Sequence, residues 1–593
     1  TVNPVFAKLA FSPIDASTAF FFVFLCFSYF ENAMASMNLF SSASLSAILV
    51  LLSPRLASAR DAFVFLGATG DNALRPSGVW QGVYEAYTAG EFNKVGGLDI
   101  HVAMNTPHTE LELHQKVNAT LTPLHEELTK TSGWSCKVEN CSVHSFLSNV
   151  TTNIWKGRDA DSQAKAMAPS LEGYERITVY LSIPPFVFGS WSDAAIKNWD
   201  NKGEYRVHIA AEKPFGNDIP SSKKLHRDIL KPGLPDANLH LVDHWLSFFI
   251  NRHLLELRAL ILPRLKTSSG NAASWDSNTF SRVVVTEYEE RGLEGRGEFF
   301  DGVGQVRDMV QSHLLQVMAL SLIDTATPHE KLNEAKLGLF NKTSVTNCSL
   351  GQYKGFLLEP KLKFHANFAD STDCGIQLSV DTEAWKGVPI TIQTGKDMGA
   401  TIYTVDFYEK DGPGVLTFEL GREEVGLGGI RVTNWNITDD SEFVAPAPGF
   451  SQNKTLKAVP AVNNGTGFFL NYSMPGLYFP QAYSMMAAAL LTRDYHVAFV
   501  TYPQCERSWQ IVTASSEAEC LDPAPGKVEV YEPPSTCGNT PPAVCNTGKT
   551  VEYLYNVTFA CNPEHNKEWS NISLYQAKCH ISGGPEDLAY LIV

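Results

Sequence analysis

The chain has 593 residues, 44% of them hydrophobic and 19% charged, with a net charge of −16 at pH 7. That length is too great for one compact core, and that composition is globular, which excludes a single small domain and a disordered chain. The acidic balance argues against nucleic acid as a partner, because phosphate backbones require clustered Lys and Arg.

The chain opens on Thr1, and Met37 is a candidate start. After it, Ser41 to Ser53 is a short apolar run, followed by Ala57-Ser58-Ala59. A run of that length with a small-x-small site reads as a signal peptide cleaved before Arg60. It is too short to span a bilayer comfortably. The earlier apolar run, Ala19 to Phe30, is either translated upstream sequence or an amino-terminal anchor. Residues 1–59 are therefore set aside as leader, with no stable membrane span expected in the mature chain. Residence in the secretory pathway follows, in the endoplasmic reticulum lumen or outside the cell.

Asp61 to Leu66 (DAFVFL) is an apolar run that stops at Gly67-Ala68-Thr69-Gly70, and helical spacing follows from Val79 to Tyr87. Strand, glycine turn and helix form the opening of a nucleotide-binding unit. Arg176 to Ile183 is a second buried-strand candidate, ended by Pro184-Pro185. Tyr205 to Ala211 is a third, ended by Glu212-Lys213-Pro214-Phe215-Gly216. This alternation predicts an α/β, Rossmann-like dinucleotide-binding domain over residues 60–238. The stretch from Lys94 to Glu175 is less regular and is expected to carry surface insertions.

From Leu239 the pattern changes. Leu239 to Leu262 predicts a long helix, and Gln305 to Leu322 another. Strand-like runs follow at Arg282–Glu287, Gly375–Val380, Val388–Thr394, Thr401–Tyr408 and Gly414–Leu420. Helices with such strands predict an α+β domain over 239–516, built on a large, mostly antiparallel sheet. Gln481 to Leu491 adds a helix and His496 to Val500 a strand. Residues 517–593 are rich in Pro and Cys and predict a disulfide-tied extension.

Eleven Asn-x-Ser/Thr sequons occur, at Asn118, Asn140, Asn149, Asn341, Asn347, Asn436, Asn453, Asn464, Asn471, Asn556 and Asn571. Chance gives roughly four, so the surplus points to a lumenal glycoprotein. Ten cysteines remain once Cys26 in the leader is set aside, an even number. None has the tight spacing of a zinc site, and beside a signal peptide disulfides are the better reading. Cys136 and Cys141 are near neighbours, but pairing does not follow from sequence.

Four segments, in order, resemble the glucose-6-phosphate dehydrogenase family. They are the turn GATGDNA at Gly67, EKPFG at Glu212, VDHWL at Val242, and GRGEFFDGVGQVRDMVQSHLLQ from Gly295 to Gln316. Weaker likeness follows at Trp385–Lys396 and Gln481–Trp509, so the resemblance covers roughly residues 61 to 512. The resemblance implies oxidation of the C1 hydroxyl of glucose 6-phosphate, or of a free hexose, to the lactone. That is the first step of the oxidative pentose phosphate pathway, and NADP or NAD takes the hydride. A homodimer is implied as well. Likeness extends to the hexose-6-phosphate dehydrogenase of the endoplasmic reticulum. Its lactonase domain is not expected here, because the roughly 80 residues beyond the dehydrogenase segment are too few and too Cys-rich.

The resemblance assigns roles residue by residue. His313 is the base that takes the hydroxyl proton, Asp243 the carboxylate that orients it, and Lys213 the lysine between sugar and cofactor. His244 and Lys396 match phosphate contacts, and Asp308 and Glu289 match sugar-hydroxyl acceptors. Gly67, Thr69, Gly70, Asp71, Pro184 and Lys213 match the dinucleotide site. No metal site is implied. Three positions depart from the family. Phe248 stands where a phosphate-pocket Lys is expected, Leu74 replaces another Lys, and the stretch from His101 to Thr106 lacks the Arg that selects NADP. Trp245 also replaces a Tyr. Two readings follow: an active dehydrogenase, or a secreted glycoprotein that keeps the fold as a binding or structural module.

Overall fold

A computed structural model describes residues 61–513 and three short strands beyond 527, apart from 96, 104–108, 132, 154–158, 201–204, 294, 357–358, 360–361, 363–370, 399–400, 422–427, 451–453, 473–476 and 495–497. The leader, its apolar runs, and most of the Cys-rich extension lie outside the described residues.

The first sheet is built from β1 (Asp61–Leu66), β2 (Leu98–Ala103), β3 (Val150–Asn153), β4 (Arg176–Leu181), β5 (Val207–Ala211) and β6 (Leu239–Val242). These six run parallel in the order β6-β5-β4-β1-β2-β3, and Phe499–Val500 adds an antiparallel edge beside β6. The strand order reverses between β1 and β4, where open α/β sheets bind their ligands. β1 is buried on both faces. Ala62, Val64 and Leu66 join one apolar cluster, while Phe63 and Phe65 join the other. Strict alternation along one strand thus serves two cores.

Helices α1 (Val79–Thr88), α2 (Glu110–Lys130), α3 (Phe188–Trp199) and α4 (Ile219–Leu230) accompany these strands. The region from Lys94 to Glu175 proves more regular than expected. It holds β2, β3 and the 21-residue α2, which starts at a capping box where Thr109 accepts from the Glu112 N–H. Leu113, Val117, Leu121, Leu124 and Leu128 give α2 its buried stripe. The expected long helix from Leu239 to Leu262 is also corrected. Leu239–Val242 is β6, a 3₁₀ turn follows at His244–Ser247, and α-helix begins only at Phe249–Arg252 and Leu254–Ile261. A short, fully buried apolar run carries no period that separates strand from helix.

The second sheet, among the described residues, has ten strands: β7 (Phe280–Glu289), β8 (Thr343–Tyr353), β9 (Asp373–Val380), β10 (Ile390–Lys396), β11 (Ile402–Glu409), β12 (Val415–Glu419), β13 (Gly429–Thr433), β14 (Ala461–Asn463), β15 (Thr466–Asn471) and β16 (Val528–Tyr531). Their order is β14-β15-β13-β12-β11-β7-β10-β9-β8-β16. All pairings are antiparallel except β7–β10 and β8–β16. The fold is therefore the expected one, a Rossmann-like domain followed by a domain with a large, mostly antiparallel sheet. The expected helix from Gln305 to Leu322 has a π-helical first half, Val306–Leu314, before regular helix over Leu315–Leu322.

Helices α5 (Leu332–Phe340), α6 (Ala482–Thr492) and α7 (Tyr502–Thr513) complete the part that positions the site. α6 returns to the first sheet. The Gln481 N–H donates to Glu85 Oε2 at 3.0 Å, and Arg176 donates to the Leu490 carbonyl at 2.9 Å. Gly82 makes this approach possible, because a Cβ there would lie 2.6 Å from the Cβ of Tyr483. Among the cysteines, Cys136 and Cys141 are joined, and Cys348 is also disulfide-bonded. Cys374 and Cys505 are free and buried, so the even count does not mean complete pairing.

Gly82→Ala should destabilise the protein by about 1–3 kcal/mol, the cost of overpacking outweighing the better helix propensity of Ala. Urea unfolding of the two proteins checks it; equal midpoints would show that α1 and α6 separate without cost.

Candidate active site

The glycine turn after β1 is held from three sides. Gly67 has φ of +86°, and a Cβ on it would lie 2.0 Å from the Ser182 carbonyl oxygen. Only glycine fits that approach. The Gly70 N–H donates to the Gly67 carbonyl at 3.0 Å, and Trp80 Nε1 donates to the Ala68 carbonyl at 2.8 Å. Thr69 is half-buried, Gly70 and Asp71 are exposed, and exposed Pro184 follows β4 across the reversal point. A narrow, backbone-lined turn at the switch between β1 and β4 fits the pyrophosphate of a dinucleotide. Residues 104–106, part of the stretch that lacks an NADP-selecting Arg, lie outside the described residues.

The EKPFG loop follows β5, and its buried acid ties it to the turn. Glu212 accepts from the Tyr180 hydroxyl and from Asn72 Nδ2, the latter at 3.5 Å. Asn72 in turn accepts from the Tyr483 hydroxyl at 3.2 Å. Burial raises the Glu212 carboxyl above its ordinary range, against the hydrogen bonds from Tyr180 and Tyr483 and the charge of Lys213. Lys213 leaves this loop in the other direction. Its Nζ donates to Asp308 Oδ1 at 3.0 Å and to the Asp308 carbonyl at 3.1 Å.

Asp308 lies in the π-helical segment, and so does His313, five residues on. Five residues of α-helix would turn the second side chain about 140° from the first. In a π-turn, residues i and i+5 are hydrogen-bonded neighbours and nearly share a face. A charge on the His313 imidazole accordingly favours the ionised form of Asp308.

His313 and Asp243 meet at 2.6 Å, Nδ1 to Oδ1, although 70 positions separate them. Both are 1% exposed. An ionised carboxylate only accepts, so Nδ1 carries the proton and Nε2 is left as the basic atom. Asp243 ends β6 and also accepts from the Trp245 N–H at 3.1 Å, which fixes its rotamer. Burial pushes its carboxyl up to about 7, opposed by Lys336, the Trp245 N–H and Lys213. Around the imidazole, Trp245 stacks at 5.7 Å and 25°, and His244 sits edge-on at 5.0 Å. His244 itself stacks on Tyr483 at 5.0 Å. An aromatic face beside His313 favours the imidazolium as it forms.

Register in the second sheet supplies the remaining groups. β7 and β10 pair in parallel with Lys396 opposite Glu289 and Thr394 opposite Glu287. Lys396 Nζ donates to Glu289 Oε2 at 2.6 Å and lies 3.6 Å from Asp308 Oδ2. Burial alone would lower the Lys396 ammonium, but Glu289, Asp308 and Glu287 outweigh it and raise it. Burial likewise opposes ionisation of Asp308, yet Lys213, Lys396 and His313 hold its carboxyl well below the ordinary range. The result is one chain of alternating charge, Lys213–Asp308–Lys396–Glu289, with its two central members buried and its ends half-buried, beside the Asp243–His313 pair.

All of Asp243, His244, Lys213, Glu289, Asp308, His313 and Lys396 therefore converge where the carboxyl ends of β5 and β6 meet the second sheet. Asn72, Tyr180, Glu212 and Tyr483 were not foreseen. Tyr483 lies in the weakly matched segment from Gln481, and its role shows only once α6 docks. Phe248 is 9% exposed, with its ring 6.5 Å from His244 and 5.4 Å from Trp245. An aromatic ring thus sits where the resemblance leads one to expect a cation.

Residues 64–248 match the family model of the glucose-6-phosphate dehydrogenase NAD-binding domain, and residues 270–536 that of the glucose-6-phosphate dehydrogenase C-terminal domain. The chain is 31% identical over 235 residues to glucose-6-phosphate 1-dehydrogenase 1 of Mycobacterium tuberculosis, a match covering 39% of this chain and 47% of that protein. The match thus spans about half the length of that relative. It is 29% identical over 404 residues to the glucose-6-phosphate 1-dehydrogenase of Cyberlindnera jadinii, covering 62% and 74%. Among solved structures, a glucose-6-phosphate dehydrogenase in complex with its substrate glucose-6-phosphate shares the fold with a TM-score of 0.60. The two are 19% identical over 80% of this chain and 94% of that one.

Lys396→Met should destabilise the protein by about 3–5 kcal/mol at pH 7, because Asp308 and Glu289 lose a buried partner. A depressed carboxyl contributes stability above its unfolded pKa of about 3.9 and loses it as pH falls through the folded value. The gap between variant and parent should therefore narrow below about pH 4. Chemical denaturation across that range checks this; a gap independent of pH would point to packing instead.

Proposed function

The chain belongs to the glucose-6-phosphate dehydrogenase family, and on that premise we propose that it oxidises the C1 hydroxyl of glucose 6-phosphate or a free hexose to the lactone. The observation that carries this reading is the 2.6 Å bond from His313 to buried Asp243, at the carboxyl edge of a dinucleotide-type sheet. A nicotinamide dinucleotide, held at Gly67–Asp71, Pro184 and Lys213, supplies the hydride acceptor when bound.

The protein's own groups do the rest. His313 Nε2 takes the hydroxyl proton, and Asp243 stabilises the imidazolium that results. Lys213, pinned by Asp308, orients the sugar toward the cofactor side. Glu289 and Asp308 accept from ring hydroxyls, and Lys396 and His244 form the cationic end for a phosphate. The aromatic ring of Phe248 beside His244 supports tolerance of an unphosphorylated sugar, since a dianion gains most from charge-assisted donors. NADP and NAD are both compatible with the described turn. A homodimer is proposed through the outer face of the second sheet, where alternate residues of β11 (Ile402, Thr404, Asp406 and Tyr408) are half-buried.

Purified protein should reduce NADP or NAD, read by absorbance of the reduced nicotinamide, with glucose 6-phosphate or with glucose. His313→Asn should lower kcat by about 10²–10⁴-fold. The parent's kcat/KM should fall as pH drops below about 7, where the Asp243–His313 pair takes up a proton as a unit. No reduction above the His313→Asn level with any sugar and either cofactor would leave the non-catalytic glycoprotein reading.

We also propose that the protein is a lumenal or secreted glycoprotein. Eight sequon asparagines fall among the described residues; six are exposed (118, 140, 341, 347, 436 and 464) and Asn149 and Asn471 are half-buried. Material from a eukaryotic secretory host should lose the mass of several glycans on treatment with an amide-cleaving glycosidase. An unchanged mass would remove the lumenal reading.

A further inference from the structure

Lys336 lies on α5, 0% exposed, and no sequence feature singles it out. A buried ammonium is costly unless a charge or hydrogen bond compensates it. Among the described residues its Nζ makes no hydrogen bond, and neither does Asp243 Oδ2, which is equally buried. The other oxygen, Oδ1, is taken by His313 Nδ1 and the Trp245 N–H. Asp243 is the charged group that acts on Lys336, and Lys336 is the foremost charge acting on Asp243. Lys336 and Asp243 are thus buried opposite charges that act on one another with no hydrogen bond or direct ion pair between them.

We propose that Lys336 is a positioning residue of the base, whose ammonium keeps Asp243 ionised and through it keeps His313 in the Nδ1–H form. This inference rests on the dehydrogenase reading above. The charged groups that act on the pair are Lys336 from α5, Lys213 from the EKPFG loop, and Asp308, which shares the π-helical segment with His313. His244 and Trp245 face the ring as uncharged neighbours. The unprotonated Asp243–His313 pair carries one negative charge and the protonated pair none. A nearby cation favours the unprotonated, catalytically competent state, and its removal favours the protonated one. Burial already works in the protonating direction at Asp243, and Lys336 is the foremost of the groups that oppose it, ahead of the Trp245 N–H and Lys213.

The test compares Lys336→Met, Lys336→Gln and Lys336→Arg with the parent. The Met and Gln variants should move the acid limb of the kcat/KM profile up by roughly one to two pH units, with rates approaching the parent's at alkaline pH. Lys336→Arg should leave the limb in place. Should the Met variant not fold, Gln and Arg decide the matter, since Gln keeps the donor and drops the charge. The same shift should appear without substrate in the NMR titration of labelled histidine, with His313→Asn identifying the His313 signal. That readout separates failures. An inactive parent sinks the dehydrogenase reading, whereas an active parent whose Met and Gln variants lose rate equally at every pH, or whose Gln variant behaves like Arg, overturns the role of Lys336.

Discussion

The structure is organised around a cluster of buried and half-buried charges that compensate one another. Lys213, Asp308, Lys396 and Glu289 form a chain in which each ion compensates the next, and Asp243 with His313 sits beside it. Taking any one of these groups out of water alone would cost several kcal/mol. They come from five elements: the loop after β5, the π-helical segment that carries both Asp308 and His313, the end of β10, the end of β7 and the residue after β6. The seam between the two sheets therefore closes in one way, because another docking would strand a charge. The constraint that fixes the relation of the two sheets is the same one that brings the reactive groups together.

Two local devices make that seam possible. The first is the π-helical segment, which lets Asp308 and His313 share a face although regular helix would turn them apart. The second is the register of β7 against β10, which sets Lys396 opposite Glu289. A slip of one residue would carry Lys396 to the other face of the sheet. Around the ring of the base, aromatic groups join these charges. Trp245, His244, Tyr483 and Phe248 form a continuous set of ring contacts. The cationic character of the site is thus concentrated at Lys213 and Lys396, each already neutralised by carboxylates of this chain.

Where reading the sequence failed, it failed for physical reasons. Leu239–Val242 is an apolar strand buried inside a sheet, and apolar-to-apolar continuity across Asp243 looks like helix when no neighbour is known. Thr109 and Glu112 spelled out a capping box ahead of α2, but the sequons nearby drew the region toward an irregular reading. The cysteines misled in the opposite sense. Cys374 and Cys505 look like members of an even disulfide set, yet each sits in the apolar core as a free thiol.

The sequence by itself determined the strands β1, β4 and β5, the helix α1, the glycine turn, and the family whose motifs Asp243, His313 and Lys213 carry. Those features are local, set by periodicity, by the backbone freedom of glycine and by short contiguous motifs. Only the tertiary structure decided which charges compensate which, that Tyr483 arrives on α6 to back His244, and that Lys336 on α5 is buried. Such facts depend on distance and burial between residues far apart in the chain. A pattern read along the chain holds neither distance nor burial; both arise when the two sheets close over the same group of ions.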